Sequence, residues 1–503
     1  MLLIKPGIWS SVIAEDKDFI ERLKYRLTIS DSGYKADPNH TFLFYKEVIP
    51  GFQLDIPTGI LESHVLPYVH FETVFDVREE SYKYVDSQII VDAFTKMSKI
   101  DPSFEVRPHQ VTATVKCLSR KHGICELQTG SGKTEIISAL CSLLSGKILI
   151  INNRHSILKQ IQDRLALRGI TKRIEEINKK TDFKSSEILV STNNLIYNKI
   201  KKNETEFLDY LKDVRTIIVD ECHHASAVSQ LVPILISEPE YLIGFTASKH
   251  KGDDSMDDLI INSVFGESIY FVSSKYLRSM GYLAEVYAYY VDYPQKKAKW
   301  KYKHESSAYD DLVMNNFQRN EKIIKITEDL IKNGLIVTLF VSRLEHGKFF
   351  VEEFKQRGIE ALFFCGQDRI YKATDELVNG KYVIEGHKGS VDELKESIKT
   401  GCHVVIGNVV LNEGIDIPAF DAGILVDAGK NVISHVQRLG RICRKKKNGL
   451  NAALFVDFND SSNETMSRWT NKRKSHLQEE GISVISRDQF YEFMKKIGDS
   501  RNG

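Results

Sequence analysis

The sequence predicts an α/β protein, with two parallel-sheet domains in tandem preceded by a small α+β N-terminal domain. Three observations lead there. From about residue 100, short apolar runs (KILII, RTIIVD, LIVTLFV, HVVIG, AGILVD) alternate with helical stretches, the pattern of a parallel sheet covered on both faces. The alternation occurs twice, before about 250 and again from about 320. Polar, motif-like residues stand just after those runs, where ligands of such sheets collect.

Bulk properties narrow the class. At 503 residues, 42% hydrophobic and 27% charged, the composition is that of an ordinary globular protein. No apolar run approaches the ~20 residues of a membrane span. The N-terminus MLLIKPGIWSSVIAEDKDF lacks the basic start and apolar stretch of a signal peptide. Seven cysteines are scattered without a CxxC pair, which points to reduced thiols and a cytoplasmic location. Net charge is +1 but uneven. Residues 1–96 hold ten Lys and Arg against fifteen Asp and Glu, and residues 425–503 hold fifteen against nine. A polyanion would find its footing towards the C-terminal end.

Taken in order, residues 1–95 read as a small α+β accessory domain. DFIERLKYRL places Ile20, Leu23 and Leu27 on one helical face, DSGYKADPNH is rich in turn formers, and TFLFYKEVIPGFQLDIPTG reads as broken strands. The first α/β domain spans 96–275, a connection 276–320, the second α/β domain 321–460, and a basic helical tail 461–503. In that tail SRWTNKRK surrounds Trp469 with positive charge, either a patch that faces a polyanion or a solvated face.

LQTGSGKTEIISALCSLL carries the chemistry of a phosphate loop. Gly130 and Gly132 permit the tight turn that aims backbone N–H groups at phosphate. Lys133 would reach the β and γ phosphates, and the Thr134 hydroxyl would hold Mg²⁺. A helix with Ile136, Leu140, Leu143 and Leu144 on its buried face would follow. The strict GxxxxGK[ST] pattern fails at its first position, where Leu127 stands. In RTIIVDECHH a strand leads to Asp220, placed to bind Mg²⁺, and to Glu221, placed to deprotonate the attacking water. Zinc at Cys222, His223 and His224 would need ligands that converge. Three consecutive residues diverge, and no second Cys/His cluster exists to complete a site.

Together these motifs resemble the superfamily 2 DNA helicases, in their XPB/UvsW-like branch, and the resemblance covers about residues 105–445. It implies two RecA-like domains, with ATP and Mg²⁺ as cofactors. EVRPHQ is similar to the adenine-reading segment, with Gln110 on the base and Arg107 in support. Thr129, Gly130, Ser131, Gly132, Lys133 and Thr134 would bind the phosphates, and Thr134 and Asp220 the metal. IINNRHSILKQ and LVSTNNLIYN resemble the strand-gripping motifs, giving Asn153, Arg154, Ser191 and Thr192 as DNA contacts. GFTAS resembles motif III, in which Thr246 and Ser248 would couple the nucleotide to DNA through His223. LFVSRLEHGKFF resembles motif IV, with Ser342 and Arg343. GNVVLNEGIDIPAF resembles motif V, with Asn408, Gly414 and Asp416. HVQRLGRICR resembles motif VI, with Gln437, Arg441 and Arg444 spaced to share one helix face. Rigid, always-charged arginine forks suit the charge on a transferring γ-phosphoryl group.

The implied function is ATP-dependent unwinding or migration of branched DNA (forks, D-loops, R-loops) in phage-type recombination, replication and repair. The alternatives are a duplex-DNA translocase of the restriction-motor type and an ATP-dependent RNA helicase or clamp. Implied partners are single-stranded and branched duplex DNA, RNA–DNA hybrid, and protein partners through the N-terminal domain. A monomer away from membranes is expected. Residues 367–390, including DRIYKATDELVNGKYVIEGHKGS, interrupt the family pattern as a strand-separating wedge or, by preference, a surface insertion.

Overall fold

Each alternation of apolar runs builds one sheet. The computed structural model describes the chain apart from residues 5–7, 15, 31–40, 44, 50–52, 62–64, 67–68, 70–73, 77–83, 179, 248–255, 296–301, 303–304, 367–368, 409–419, 430–437, 447–448 and 503. The chain divides into two compact units, Met1–Val272 and Ser273–Gly503. The turn-rich DSGYKADPNH lies outside the described residues. Among those described, no helix is long and apolar enough to cross a membrane.

In the first unit seven parallel strands lie in the order Ile174–Glu176, Ile188–Thr192, Lys147–Asn152, Val214–Asp220, Tyr241–Thr246, His122–Leu127, Ser268–Val272. The central strands are near-continuous Val, Ile and Leu because helices cover both of their faces. The order matters for the site. The strand of GFTAS lies between that of GSGKT and that of DECH, so three motifs end side by side at one carboxyl edge.

Before this sheet comes a five-stranded, mostly antiparallel one, in the order Lys46–Ile49, Gln53–Pro57, Trp9–Ile13, Leu2–Ile4, Val74–Asp76. Helix Lys17–Arg26 covers it with Ile20 and Leu23, and Leu27 follows at the helix end. The module is seated on helix Met256–Phe265. A Cβ on Gly59 would stand 1.8 Å from the Asn262 carbonyl oxygen, so only glycine permits that approach.

The second unit is a nine-stranded sheet in the order Lys381–Lys388, Arg369–Val378, Ala361–Cys365, Val404–Gly407, Val337–Phe340, Ala422–Leu425, Ala452–Phe458, Glu285–Val291, Ser483–Val484. Glu285–Val291, inside the stretch read as a connection, pairs in parallel with Ala452–Phe458 and belongs to this sheet. Residues 369–388 form an antiparallel hairpin closed at Asn379 and Gly380, both at positive φ (52° and 76°), the chemistry of a tight hairpin turn. Cys365 pairs with Arg369 and Phe363 with Tyr371, so the hairpin runs back past the start of Ala361–Cys365. Its tip stands roughly 15 Å beyond the amino ends of the parallel strands. Ser342, Arg343 and Asn408 follow the opposite, carboxyl ends. The hairpin is thus an extension at the amino end of this sheet.

The tail is part of this unit's core. Helix Glu464–Glu479 turns Trp469 (8% exposed) and Arg473 (3% exposed) inward, leaving Arg468 and Lys472 at the surface. SRWTNKRK is therefore not one exposed basic patch. Arg473 donates through Nε to Asp457 Oδ2 (2.8 Å), through Nη2 to Asp460 Oδ2 (3.3 Å), and through Nη1 to the Ala428 carbonyl (3.1 Å). Arg319, from helix Phe317–Lys332, donates through Nε to Asp460 Oδ1 (2.9 Å) and through Nη1 to the Val426 carbonyl (2.5 Å). Two arginines and two aspartates thus clamp the segment after Ala422–Leu425.

Beside this network His346 is buried, its Nε2 donating to Asn320 Oδ1 at 3.1 Å. Burial, helped by the Arg319 charge, pushes its pKa from 6.5 down to about 3. The folded chain keeps His346 neutral while the unfolded chain takes up a proton below pH 6.5. Its contribution is present above that pH and lost as pH falls towards 3. The urea midpoint is expected to fall through this window. His346→Gln should flatten the slope by up to about 1.4 kcal/mol per pH unit, as urea titrations at stepped pH would show.

A candidate nucleotide site at the edge of the first sheet

The phosphate-loop candidate starts where strand His122–Leu127 ends in buried Leu127. The chain turns through Gln128–Gly132 into helix Lys133–Leu143, with Gly130 at φ 86° and Gly132 at φ 88°. Only glycine adopts this region without strain. The missing Cβ of Gly132 also makes room for Gln110, since it would lie 2.2 Å from Gln110 Nε2. Gln110 is 1% exposed. Its Nε2 donates to the Ser131 carbonyl (3.3 Å), and its Oε1 accepts from the Arg107 amide (3.0 Å). Arg107 Nη1 donates to the Gly130 carbonyl (2.8 Å), and His109 Nε2 meets the Ser131 carbonyl at 2.7 Å. RPHQ therefore braces the loop by satisfying two carbonyl oxygens that would otherwise repel phosphate. Gly132→Ala adds left-handed strain of about 1–2 kcal/mol and displaces Gln110. Its affinity for ATP, measured by titration calorimetry, should fall at least about tenfold.

Across the sheet edge, strand Val214–Asp220 delivers the two carboxylates. Glu221 is left-handed, at φ 55° and ψ 49°, unusual outside glycine. This bend turns its side chain back to Lys133, whose Nζ donates to Glu221 Oε1 at 2.7 Å and lies 3.9 Å from Asp220 Oδ1. Burial works against the Lys133 charge, but Glu221 and Asp220 outweigh it and hold its pKa above the usual value. Burial lifts Asp220 to about 6 against the pull of Lys133, with Glu221 adding to the rise. Asn152 Nδ2, at the end of the neighbouring strand, donates to Asp220 Oδ2 at 3.1 Å. Thr134 is half-buried on the first turn of the helix. Its hydroxyl and the carboxylate of Asp220 are hard oxygen donors of the kind Mg²⁺ takes, and Lys133 suits a phosphate.

The DECH turn leads on to GFTAS. His223 (2% exposed) places Nδ1 3.0 Å from Thr246 Oγ1 and 3.4 Å from Glu221. Cys222 is buried against Gly244, where a Cβ would stand 2.7 Å from its sulfur. Its neighbours thus leave it a packing role. Ser248 lies outside the described residues.

The other expected residues are placed less uniformly. Asn153 Oδ1 accepts from Gln230 Nε2 at 2.5 Å, and Arg154 caps helix His155–Leu167. Ser191 (0% exposed) and Thr192 (5%) are buried, and Thr192 Oγ1 caps helix Asn193–Lys201 by accepting from the Leu195 amide. In the second unit the Ser342 hydroxyl donates to Asp427, which also takes a two-pronged grip from Arg438. Arg343 is about half exposed, its guanidinium 5.6 Å from the centre of the Tyr309 ring. Asn408 follows strand Val404–Gly407. Arg441 is 2% exposed on a helical turn that ends at Ile442, whereas Arg444 lies beyond it, paired with Leu283 through its backbone, so the two do not share a helix face as the spacing suggested. Gly414, Asp416 and Gln437 lie outside the described residues. Asn152 was missed by sequence reasoning. NN offers two candidates, and only the strand order shows which one faces Asp220.

A parallel sheet with GSGKT on one strand end and DECH two strands away is a phosphate-loop nucleotide-binding domain. Comparison with known proteins narrows the class. Residues 103–250 match the model of the type III restriction enzyme res subunit, and residues 318–446 match the helicase conserved C-terminal domain. A Sulfolobus islandicus filamentous virus protein (isolate Iceland/Hveragerdi), provisionally named helicase 22, is 26% identical over 69% of this chain and 63% of its own length. The DNA 3'-5' translocase XPB2 of Sulfurisphaera tokodaii is 22% identical over 69% of this chain and 80% of its own. The matched region thus spans less than two thirds of the viral relative. Yeast (S. cerevisiae) Dbp5 bound to RNA and ADP BeF3 shares the fold, with TM-score 0.55 and 13% identity over 80% of this chain and 97% of that one. The chain belongs to the superfamily 2 helicases, a family of nucleic-acid-dependent ATPases, and its two sheets are their tandem RecA-like domains.

Proposed function

We propose that the protein is a DNA-dependent ATPase that uses MgATP to unwind or migrate branched DNA. The observation that carries the reading is the chain of contacts Lys133–Glu221–His223–Thr246 at one sheet edge. A γ-phosphate would draw Lys133 away from Glu221. Glu221 would then orient and deprotonate water, with Asp220 and Thr134 holding the metal that offsets phosphate charge. His223 lies close to both Glu221 and Thr246, so a change at Glu221 would reach GFTAS. Gln437, Arg441 and Arg444 are proposed to serve turnover, and Asn153, Arg154, Arg343 and Asn408 to meet the DNA backbone. Ser191, Thr192 and Ser342 would do so only if their hydroxyls left their present surroundings.

The name of the archaeal relative, a DNA translocase, favours DNA over RNA. Branched substrates, and a phage-type role in recombination, replication and repair, rest on the XPB/UvsW-like resemblance. ATP hydrolysis should rise at least tenfold with single-stranded or forked DNA and fall steeply with added salt, as backbone-directed binding requires. Stimulation by RNA and not by DNA would contradict the proposal.

A further inference from the structure

We infer that Arg168 is a positioning residue for the phosphate loop, acting through Glu135; this rests on the ATPase reading above. Glu135 immediately follows Lys133 and Thr134, in the first turn of helix Lys133–Leu143, and its amide donates to the Gly132 carbonyl at 3.0 Å. The side chain points away from the nucleotide side into a buried charge cluster. Arg168, at the end of helix His155–Leu167, is 3% exposed. It grips both carboxylate oxygens of Glu135, Nε to Oε2 at 2.5 Å and Nη2 to Oε1 at 2.9 Å. Its third nitrogen, Nη1, donates to Asp101. The guanidinium lies 4.4 Å from the centre of the Phe104 ring, which packs near Phe94 of helix Ser87–Ile100.

One arginine therefore joins three segments, and the bidentate fork fixes an orientation as well as a distance. The first turn of the loop helix cannot rotate without breaking two charge-assisted hydrogen bonds in a dry environment. Helix His155–Leu167 begins just after Asn153 and Arg154. The clamp consequently ties the residues that would hold phosphate to the far end of the helix that follows these candidate DNA contacts. GKTE offered no sign of this, because a glutamate on a helix is ordinarily a solvated residue.

The test separates positioning from mere stability. Arg168→Met alone leaves the buried Glu135 carboxylate with Arg164 at 3.5 Å as its remaining cation and is expected to lose stability. Arg168→Met combined with Glu135→Leu and Asp101→Asn removes the charges together and should keep the wild-type fold, since apolar replacement of buried pairs is well tolerated. Arg168→Lys keeps the charge but not the fork. For all of these, KM for MgATP, kcat and the urea midpoint are measured in the full chain. Positioning predicts that the triple variant has a near-wild-type midpoint, a KM raised at least fivefold and a kcat within about threefold of wild type. Arg168→Lys should fall between it and wild type in KM. A triple variant or an Arg168→Lys variant with wild-type KM overturns the inference. If wild type itself neither binds nor hydrolyses ATP, the ATPase reading fails first, and this inference with it.

Discussion

Lys133→Ala is expected to leave ATP turnover at least about 10²–10³-fold below wild type, the scale set by losing a preorganised charge at a reacting phosphate. The structure adds a second consequence. Lys133 is paired at 2.7 Å with Glu221 and lies 3.9 Å from Asp220. Removing it leaves two neighbouring carboxylates without their cation. Breaking such a buried pair costs about 3–5 kcal/mol when the remaining charge stays ionised. Asp220, already lifted to about 6, would escape part of that cost by holding a proton at neutral pH. Adding Glu221→Gln to Lys133→Ala should therefore restore stability but not turnover. Urea titration and ATPase assays on the single and double variants separate the two effects. A single variant that retains turnover within tenfold of wild type would remove Lys133 from the site.

Asp460→Ala should give the largest loss of stability in the second unit. Its carboxylate accepts from Arg319, Arg473 and the Tyr293 hydroxyl (2.7 Å), with Arg319 at 0% and Asp460 at 1% exposure. Without it Arg319 keeps the Val426 carbonyl but has lost its charge partner, a change worth about 3–5 kcal/mol. Asp375→Ala is the control. Asp375 meets Lys355 at 2.6 Å, shorter than the Arg319–Asp460 bond, yet its side chain is 97% exposed. Water replaces that partner, so no shift in the urea midpoint is expected. Distance alone does not rank these two pairs; burial does. If Asp460→Ala unfolded at the same urea concentration as wild type, the network would not be holding the unit together.

The two sheets were legible because buried parallel strands must be almost wholly apolar, and KILII, RTIIVD and AGILVD are. The residues that meet at the candidate nucleotide edge were legible for a related reason. Gly130, Gly132, Lys133, Asp220 and Glu221 are each required by local chemistry and lie within a few residues of a strand end. What escaped was set by strand order and distant packing. Asn152 reaches Asp220, 68 residues away, only because their two strands are neighbours (Thr216 pairs with Ile148, Ile217 with Leu149). Trp469 and Arg473 looked like a surface patch because charge along a helix does not show which face turns inward. Glu285–Val291 was read as connection because it joins its sheet beside a strand that comes more than 150 residues later. The hairpin at 369–388 was seen as an insertion, but its direction required the pairing of Cys365 with Arg369.

Strand displacement on a forked DNA, with wild type and Glu221→Gln side by side, tests the central claim most directly. Wild type should separate the fork with ATP and fail without it. Glu221→Gln should still bind ATP and the fork but release no strand, because the base that activates water is gone while Lys133 and Asp220 remain. Displacement by Glu221→Gln at the wild-type rate would contradict the account, as would wild type that separates an RNA duplex and leaves every DNA fork intact.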